Sequence, residues 1–193
     1  MQEFVRLTAK GVPLPYANID TDQLIPARFM STPRAKGYGP FLLYDRRREA
    51  GFPLDDPRYL GASIVVARRN FGGGSSREAA VYALVDAGIR CVIAPSFGDI
   101  FAANAANNGL LAAKVSEDVA EALLTASGEI TVDLEACLIN GDTPFEVEPV
   151  ARIKLLRGWE DIDLTLSHAE AIAAFATADA TRRPWAKPVS RAF

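Results

Sequence analysis

The feature that most constrains the fold is a strand, a glycine loop and a helix in direct succession in the middle of the chain. Residues 62–67 form an apolar, β-branched run, which is typical of a buried strand. Three glycines follow, and residues 76–87 then show helical spacing that ends at Gly88. A second strand at residues 91–94 leads into a second helical pattern that ends at residues 107–109. This order predicts parallel strand pairing, because helices supply the crossover connections.

The remaining pattern predicts shorter elements around this centre. Asn18, Asp20 and Asp22 are typical of Asx turns or of a helix N-cap. The turn residues 140–142 are expected to join their two flanking strands in a hairpin. We expect strands at residues 4–8, 129–134 and 143–148, a proline-bounded turn at residues 12–15, and helices at residues 116–125 and 167–177.

The length of 193 residues allows one ordinary domain with some elaboration. We predict an α/β fold in a single domain over residues 1–177. Residues 30–60 form a long irregular loop within it, and loops of that length are more often functional than not. Residues 178–193 are basic, contain two prolines and are expected to be extended or flexible.

The composition argues against several kinds of site and partner. Cys91, Cys137 and the single His168 are too few for an ordinary zinc, haem or iron–sulfur site, so we expect no metal on this chain. Two isolated thiols suggest a reducing compartment. The net charge of −3 gives no global field for nucleic acid or an anionic membrane, and no apolar run approaches the roughly 18 residues that cross a bilayer. We therefore expect a cytoplasmic protein that binds neither nucleic acid nor membrane.

The glycine loop carries the residues with the most evident chemistry. Residues 70–78 read Asn-Phe-Gly-Gly-Gly-Ser-Ser-Arg-Glu, and the glycines let a ligand approach main-chain N–H groups closely. The spacing fits neither a P-loop nor the GxGxxG fingerprint, which disfavours a nucleotide site. Ser75 and Glu78 have capping-box spacing, so one interpretation is that they merely start the helix.

Arg77 favours a second interpretation of the same loop. A cation in the first helical turn opposes the macrodipole, whereas an arginine beside free N–H groups and hydroxyls suits a small carboxylate or phosphate. Arg68 and Arg69 lie just upstream, either near this receptor or as solvated residues at a strand end. The Ser75 hydroxyl is too weak an acid to serve as a base unaided. Such a role requires a strong electrophile, for which this chain offers no obvious candidate.

Three separated motifs extend over most of the chain. They are Asn18-Ile-Asp-Thr-Asp-Gln-Leu-Ile-Pro26 with Arg28-Phe29, the glycine loop through Glu78, and residues 93–101 continuing to Leu111. Further agreement occurs at residues 36–45 and 163–168. In this order the motifs resemble those of the small subunits of 3-isopropylmalate dehydratase, a leucine-biosynthesis isomerase related to aconitase.

The resemblance implies a swivelling β/β/α domain, with a partly parallel sheet or barrel flanked by helices, that docks on a large subunit. It also implies a [4Fe-4S] cluster on that large subunit, whose open iron binds the substrate hydroxyl and a carboxylate. By motif position, Ser75 is the implied base that removes the carbon-bound proton, while Gly74, Ser76 and Arg77 are the implied binders of a small diacid. Dehydration and rehydration then interconvert 2- and 3-isopropylmalate, and this chain alone is expected to be inactive.

The resemblance also assigns supporting roles. Asp20, Thr21, Asp22 and Glu78 are expected to support the loop, because an acidic residue can hold Arg77 in place; simple turn formation is the alternative for the first loop. Residues 30–60 and the residues just before them are expected to set substrate specificity, and residues 41–43 are able to meet an isopropyl group. The arginine run at residues 46–48 (Arg46, Arg47 and Arg48) is able to meet carboxylates or the partner subunit. The alternative is that it forms a solvated face. The possible specificity residues are Arg28, Phe29, Met30 and Phe41.

The chain departs from the family pattern at several positions. Gly73 stands where the family usually has cysteine, Ala79 where it has histidine, and Ala112 where it has proline. Val81 and Tyr82 replace the usual Pro-Trp pair. Two alternatives therefore stay open: a related dehydratase subunit that acts on methylmalate, dimethylmalate or another diacid, and a non-catalytic anion-binding module.

Overall fold

The computed structural model describes residues 1–186, and its centre is a seven-stranded sheet. Strands β1 to β4 pair in parallel, whereas β5, β6 and β7 continue from β1 in antiparallel pairing. The predicted α/β fold with a partly parallel sheet is confirmed. In the sheet the strands lie in the order β4-β3-β2-β1-β5-β6-β7. In chain order they are β1 (Arg6–Leu14), β2 (Ile64–Ala67), β3 (Cys91–Ala94), β4 (Leu111–Lys114), β5 (Glu129–Asp133), β6 (Leu138–Ile139) and β7 (Thr143–Pro144).

Helices connect the parallel strands, as the alternating pattern predicted. Ser116 caps the fourth helix by accepting a hydrogen bond from the Val119 N–H at 3.3 Å. The helices are α1 (Thr21–Leu24), α2 (Ala79–Asp86), α3 (Asp99–Asn107), α4 (Glu117–Thr125), α5 (Pro149–Arg157), α6 (Asp161–Leu166) and α7 (Ala169–Arg182). Within residues 1–186, no helix combines the length and apolar character that a membrane span requires.

Alternate residues of the central strands face two separate hydrophobic cores. In β2, Val65 and Ala67 belong to the core that includes buried residues of α2 and α3. Ile64 and Val66 belong to the other core, together with Ile130 of β5. Each of these side chains is at most 5% exposed, so both faces of the strand are covered, as its unbroken apolar run predicted.

The two edges of the sheet meet. The Lys114 N–H of β4 donates to the Glu146 carbonyl at 2.9 Å, and the Glu146 N–H donates back at 2.7 Å. Glu146 lies just after β7, the opposite edge strand, so the sheet curls until it closes on itself. This closure covers edges that would otherwise expose unpaired backbone groups.

The first strand is longer than predicted, and the proline-bounded turn at residues 12–15 is wrong. β1 continues through Pro13 to Leu14, where it pairs only with β2 on one side. Its other neighbour, β5, ends its pairing at Lys10. Pro13 lacks an N–H, and it is tolerated because β5 does not pair with the strand at this point.

The predicted hairpin between residues 129–134 and 143–148 is also wrong. β5 pairs with the short strand β6, and the turn at residues 140–142 joins β6 to β7 instead. The sequence pattern missed a tight turn before β6. In that turn the Asp133 carboxylate accepts from the Ala136 N–H at 2.9 Å, and Cys137 has a positive φ of 54°.

The chain divides into two compact units, Met1–Trp159 and the part from Glu160 onward, whereas the sequence predicted one domain to residue 177. The second unit contains α6, which the sequence did not predict, and α7. α7 ends at Arg182 rather than residue 177, so the start of the predicted extended tail is helical. Alanine-rich sequence favours the longer helix, and Asp179 pairs with Arg182 and Arg183 near its end. The remainder of that prediction, residues 187–193, lies outside the described residues.

Residues 30–60 contain neither a strand nor an α-helix, as expected, but they are closely packed. Single turns of 3₁₀ helix follow one another, and Tyr38, Leu42, Leu43 and Phe52 are buried in the core. The suggestion that Leu42 and Leu43 meet a substrate alkyl group is therefore wrong, because both are 1% exposed. The segment packs against α2 and β1.

Candidate active site

Three loops meet at the carboxyl ends of the parallel strands β1, β2 and β3, where ligand sites of α/β sheets commonly form. The Gly72 N–H of the glycine loop donates to the Ile19 carbonyl at 2.7 Å. On the other side, the Phe71 N–H donates to the Ser96 carbonyl at 3.0 Å, and Gly98 donates back to Phe71 at 2.9 Å. The three sequence motifs are thus hydrogen-bonded into one surface.

Glycine is required at two points of this surface. Gly72 has a φ of +72°, and a Cβ there would lie 2.7 Å from the Phe101 Cβ and closer still to its ring. Gly98 approaches the loop so closely that a Cβ would lie 2.7 Å from the Gly72 carbonyl oxygen. The loop backbone therefore rests directly on the start of α3.

The capping interpretation of Ser75 and Glu78 is wrong. α2 begins at Ala79, three residues later than predicted, and no side chain caps it. The Ser75 carbonyl instead accepts from the Thr21 hydroxyl at 3.2 Å, and the Glu78 carboxylate accepts from the Asn108 amide at 2.8 Å. These bonds hold residues 75–78 outside the helix.

The tip of the glycine loop is open to solvent. Gly74, Ser75 and Ser76 are exposed, and within residues 1–186 the Ser75 hydroxyl makes no hydrogen bond. A hydroxyl without a protein partner, on a backbone fixed at its own carbonyl, is free to meet a reacting group. This arrangement matches the exposure that a base acting on an external substrate requires.

Arg77 is held by the first loop. Its Nη1 atom contacts the Asp22 carboxylate, in an ion pair where the Arg77 side chain is 24% exposed and that of Asp22 is 57% exposed. The guanidinium has five N–H donors, and within residues 1–186 its only hydrogen bond is the one from Nη1. The remaining donors are available for a ligand carboxylate.

The four-residue helix α1 connects the glycine loop to the 30–60 segment. Asp20 caps α1 by accepting from the Gln23 N–H at 2.7 Å, which confirms the predicted N-cap. Thr21 is 1% exposed, and its N–H donates to the Gly73 carbonyl at 3.0 Å. On the opposite side, Gln23 accepts from the Arg46 guanidinium at 3.1 Å.

The possible specificity residues form an aromatic cluster with an arginine over it. Phe29 stacks on Phe41 with ring centroids 4.3 Å apart, and the Arg28 guanidinium lies 4.6 Å from the Phe29 ring. Arg28 also pairs with Asp45, and its hydrogen bond lowers the pKa of that carboxyl. Met30 is 42% exposed beside them. The structure thus brings the four residues close to one another, on the segment that α1 joins to the glycine loop.

The neighbouring arginines serve the packing of these segments. Arg46 lies over the Tyr16 ring at 4.7 Å, Arg47 donates to Asp55 at 2.9 Å, and Arg48 lies over Tyr44. The run is therefore more than a solvated face, although it remains partly accessible. Upstream of the glycine loop, Arg68 and Arg69 pair with Glu121 and Glu117 of α4, rather than with the serines.

The cysteines and carboxylates of this chain form no metal centre in residues 1–186, where no group of three or more potential ligands is placed to hold an ion. Cys91 points into the second core, and burial raises the pKa of its thiol far above the usual range. Cys137 is half-buried beside the Leu134 carbonyl. Neither residue suits an iron–sulfur cluster.

Two positions at which the chain departs from the family pattern lie in the glycine loop or directly after it. A Cβ at Gly73 would lie 2.8 Å from the Asn70 Oδ1 atom, so a side chain at this position requires the Asn70 amide to move. Ala79 is 8% exposed at the start of α2. One turn later, the Tyr82 ring carries the Arg34 guanidinium at 4.3 Å, and burial is the main cause that raises the pKa of Tyr82.

Sequence reasoning missed the roles of two asparagines. Asn18 follows β1 and Asn70 follows β2, and the Asn70 Nδ2 atom donates to the Asn18 Oδ1 atom at 2.9 Å. Both residues have positive φ, at 57° and 58°. The signal that was present is the occurrence of asparagine at the start of two of the three motifs, because asparagine tolerates this backbone region better than most residues.

Family models match both ends of the chain. Residues 1–118 match the aconitase C-terminal domain, and residues 161–189 match the C-terminal domain of 3-isopropylmalate dehydratase small subunits. The first match includes the whole glycine loop and the two loops that are hydrogen-bonded to it.

Individual relatives agree with these matches. The 3-isopropylmalate dehydratase small subunit of Rhodospirillum centenum is 45% identical, over 96% of this chain and 99% of its own length. That of Frankia alni is 43% identical, over 96% and 97%. Among solved structures, 3-isopropylmalate dehydratase from Methanocaldococcus jannaschii aligns with a TM-score of 0.65 and 26% identity, over 88% of this chain and 98% of that one.

Proposed function

The chain belongs to the family of 3-isopropylmalate dehydratase small subunits, and we propose on this basis that it is one half of a hydro-lyase. The complete enzyme interconverts 2-isopropylmalate and 3-isopropylmalate by dehydration and rehydration, as a cytoplasmic step of leucine biosynthesis. The observation that carries the proposal is the exposed Ser75 hydroxyl next to Arg77, on a loop that three strand ends hold in place.

Ser75 is the proposed base. As an alkoxide, its Oγ atom takes the proton from the substrate carbon and becomes the hydroxyl, and it returns a proton to carbon during rehydration, so one residue serves both directions. Arg77, the Ser76 hydroxyl and the Gly74 N–H bind one substrate carboxylate beside it. Asp22 holds the Arg77 guanidinium through their ion pair, while Thr21 holds the Ser75 backbone through its hydrogen bond to the Ser75 carbonyl.

A large subunit is the proposed partner, because departure of hydroxide needs an electrophile and residues 1–186 offer none. Those residues do not fit an iron–sulfur cluster, since one cysteine is buried in the core and, in the part of the chain that the structure describes, no group of ligands surrounds the other. We assign a [4Fe-4S] cluster to the large subunit, where it acts as a Lewis acid toward the substrate hydroxyl. The chain contributes the proton carrier and the carboxylate receptor to a shared site.

Reconstitution with a large subunit of 3-isopropylmalate dehydratase tests this proposal directly. Anaerobic coexpression is expected to give a stable complex that interconverts the two isopropylmalates, while this chain alone shows no turnover. The measurement is the absorbance of the unsaturated intermediate together with product identification. Failure to associate with any such subunit contradicts the proposed function.

A related diacid is the second candidate substrate, favoured by Gly73 within the glycine loop, by Ala79 at the start of α2 and by the exposed Met30. A panel of methylmalate, dimethylmalate and isopropylmalate, assayed on the same complex, separates the two. The larger kcat/KM identifies the natural alkyl group.

The substitution Arg77→Lys is expected to act mainly on KM. Lysine keeps the charge but loses the planar fork that binds two carboxylate oxygens at once. Loss of one hydrogen bond to a charged group corresponds to a rise in KM of about tenfold or more, with a smaller change in kcat. Arg69→Lys is the matched control, since Arg69 is held by Glu117 of α4 at 3.7 Å. An unaltered KM in Arg77→Lys counts against carboxylate binding.

A further inference from the structure

We propose that the amide pair of Asn18 and Asn70 is the positioning device of the glycine loop, so that both are positioning residues for the Ser75 hydroxyl. The inference rests on the proposed function, which it deepens. It starts from a bond between two side chains, one from the loop after β1 and one from the glycine loop: the Asn70 Nδ2 atom donates to the Asn18 Oδ1 atom at 2.9 Å.

The backbone of each asparagine is fixed by a neighbouring loop. The Asn18 N–H donates to the Arg69 carbonyl at 2.9 Å, and the Asn70 N–H donates to the Ser96 hydroxyl at 2.8 Å. Both residues hold a left-handed backbone, which costs free energy for most side chains and persists only where surrounding contacts impose it. The amide pair is one of those contacts, and it joins the ends of β1 and β2.

The Asn70 amide also lies against the turn that precedes Ser75. A Cβ on Gly73 would lie 2.8 Å from Asn70 Oδ1 and 3.3 Å from its Nδ2, so the amide occupies the space beside this glycine. Gly73 and Gly74 lead directly into Ser75, whose carbonyl is held by Thr21. The amide therefore limits the freedom of the loop on one side, while Thr21 limits it on the other.

Arg77 is held separately, through Asp22. Disturbing the amide pair is expected to displace the Ser75 hydroxyl more than the guanidinium. The effect on turnover should thus exceed the effect on substrate affinity, whereas general unfolding of the site raises KM and lowers kcat together.

Aspartate substitutions give a sharp test, because aspartate tolerates the left-handed backbone as asparagine does. In Asn18→Asp the carboxylate still accepts from Asn70. In Asn70→Asp the Asn18 amide turns over and donates instead. In the double variant N18D/N70D two carboxylates face each other without a donor, and they repel. The two single variants thus conserve the pair, and only the double variant breaks it.

The closing experiment measures kcat and KM of the reconstituted complex for wild type, both single variants and the double variant. We expect kcat to fall less than about threefold in each single variant. In the double variant we expect kcat to fall about thirtyfold or more while KM changes less than about threefold, because small displacements of a catalytic group cost large factors in rate. A double variant whose loss equals the product of the single losses overturns the proposal, because no coupling then exists.

A second measurement on the isolated chain does not depend on the proposed function. Amide hydrogen exchange over residues 72–75 should be about tenfold faster in N18D/N70D than in either single variant, since the loop then opens more often. Equal exchange in all three variants overturns the positioning role. An inactive wild-type complex contradicts the proposed function alone, and the exchange result then decides on the amide pair.

Discussion

Replacing Ser75 with alanine is expected to lower kcat of the reconstituted complex by about 10³-fold, since a positioned general base contributes 10² to 10⁴ in rate. The reason is local: the substitution removes the Oγ atom that we propose as the acceptor of the carbon-bound proton, and it leaves the neighbouring Ser76 hydroxyl unchanged. The bond that holds the loop, from Thr21 to the Ser75 carbonyl, involves the backbone and survives the change.

The same structure predicts that Ser75→Ala folds and assembles normally. Ser75 is exposed and its hydroxyl makes no hydrogen bond within residues 1–186, so the free energy of unfolding should change by less than about 0.5 kcal/mol. Ser127→Ala is the matched control, an exposed serine on the loop between α4 and β5. Turnover that survives in Ser75→Ala refutes the assignment of the base.

Gly72→Ala is the substitution with the largest expected effect on stability. Its Cβ would enter the ring of Phe101, which is 3% exposed and packs edge-to-face on Phe71 at 5.4 Å. Overpacking costs 1–3 kcal/mol and the left-handed backbone adds about 1 kcal/mol, so the expected loss is about 3 kcal/mol. Thermal unfolding should shift down by about 10 °C in a chain of this size.

Gly61→Ala separates the two causes. Gly61 has a nearly equal φ of +76°, but nothing lies within 4 Å of its added Cβ. It should therefore lose only about 1 kcal/mol, the backbone cost alone. Equal losses at positions 61 and 72, measured by thermal or urea unfolding, contradict the close packing of the glycine loop on Phe101.

The central βαβ region was predictable because its signals are local and agree with one another. The buried strands, the glycine punctuation and the Ser116 cap each indicate the same structure as the hydrophobic pattern. An acidic residue of the first loop was expected to hold Arg77, and Asp22 forms this ion pair. Its part in substrate binding stays a prediction.

The elements that the sequence did not predict depend on contacts between distant residues. Pro13 fits within β1 only because β5 ends at Lys10, and no local pattern states where a neighbouring strand stops. Likewise, α2 starts late because Thr21 holds the Ser75 carbonyl across 54 positions of sequence and Asn108 holds the Glu78 carboxylate across 30. Capping-box spacing is a short-range signal, and these bonds override it.

The position of α1 matters for chimeras that exchange segments between relatives in order to change substrate preference. The four residues of α1 contact the glycine loop on one side and Arg46 and Leu43 on the other, so this single helical turn lies between the glycine loop and the 30–60 segment. A chimera that exchanges only residues 30–60 leaves Gln23 and the Leu24 carbonyl facing foreign partners. Exchanges that begin at Pro15 transfer α1 together with the segment and are expected to keep these contacts.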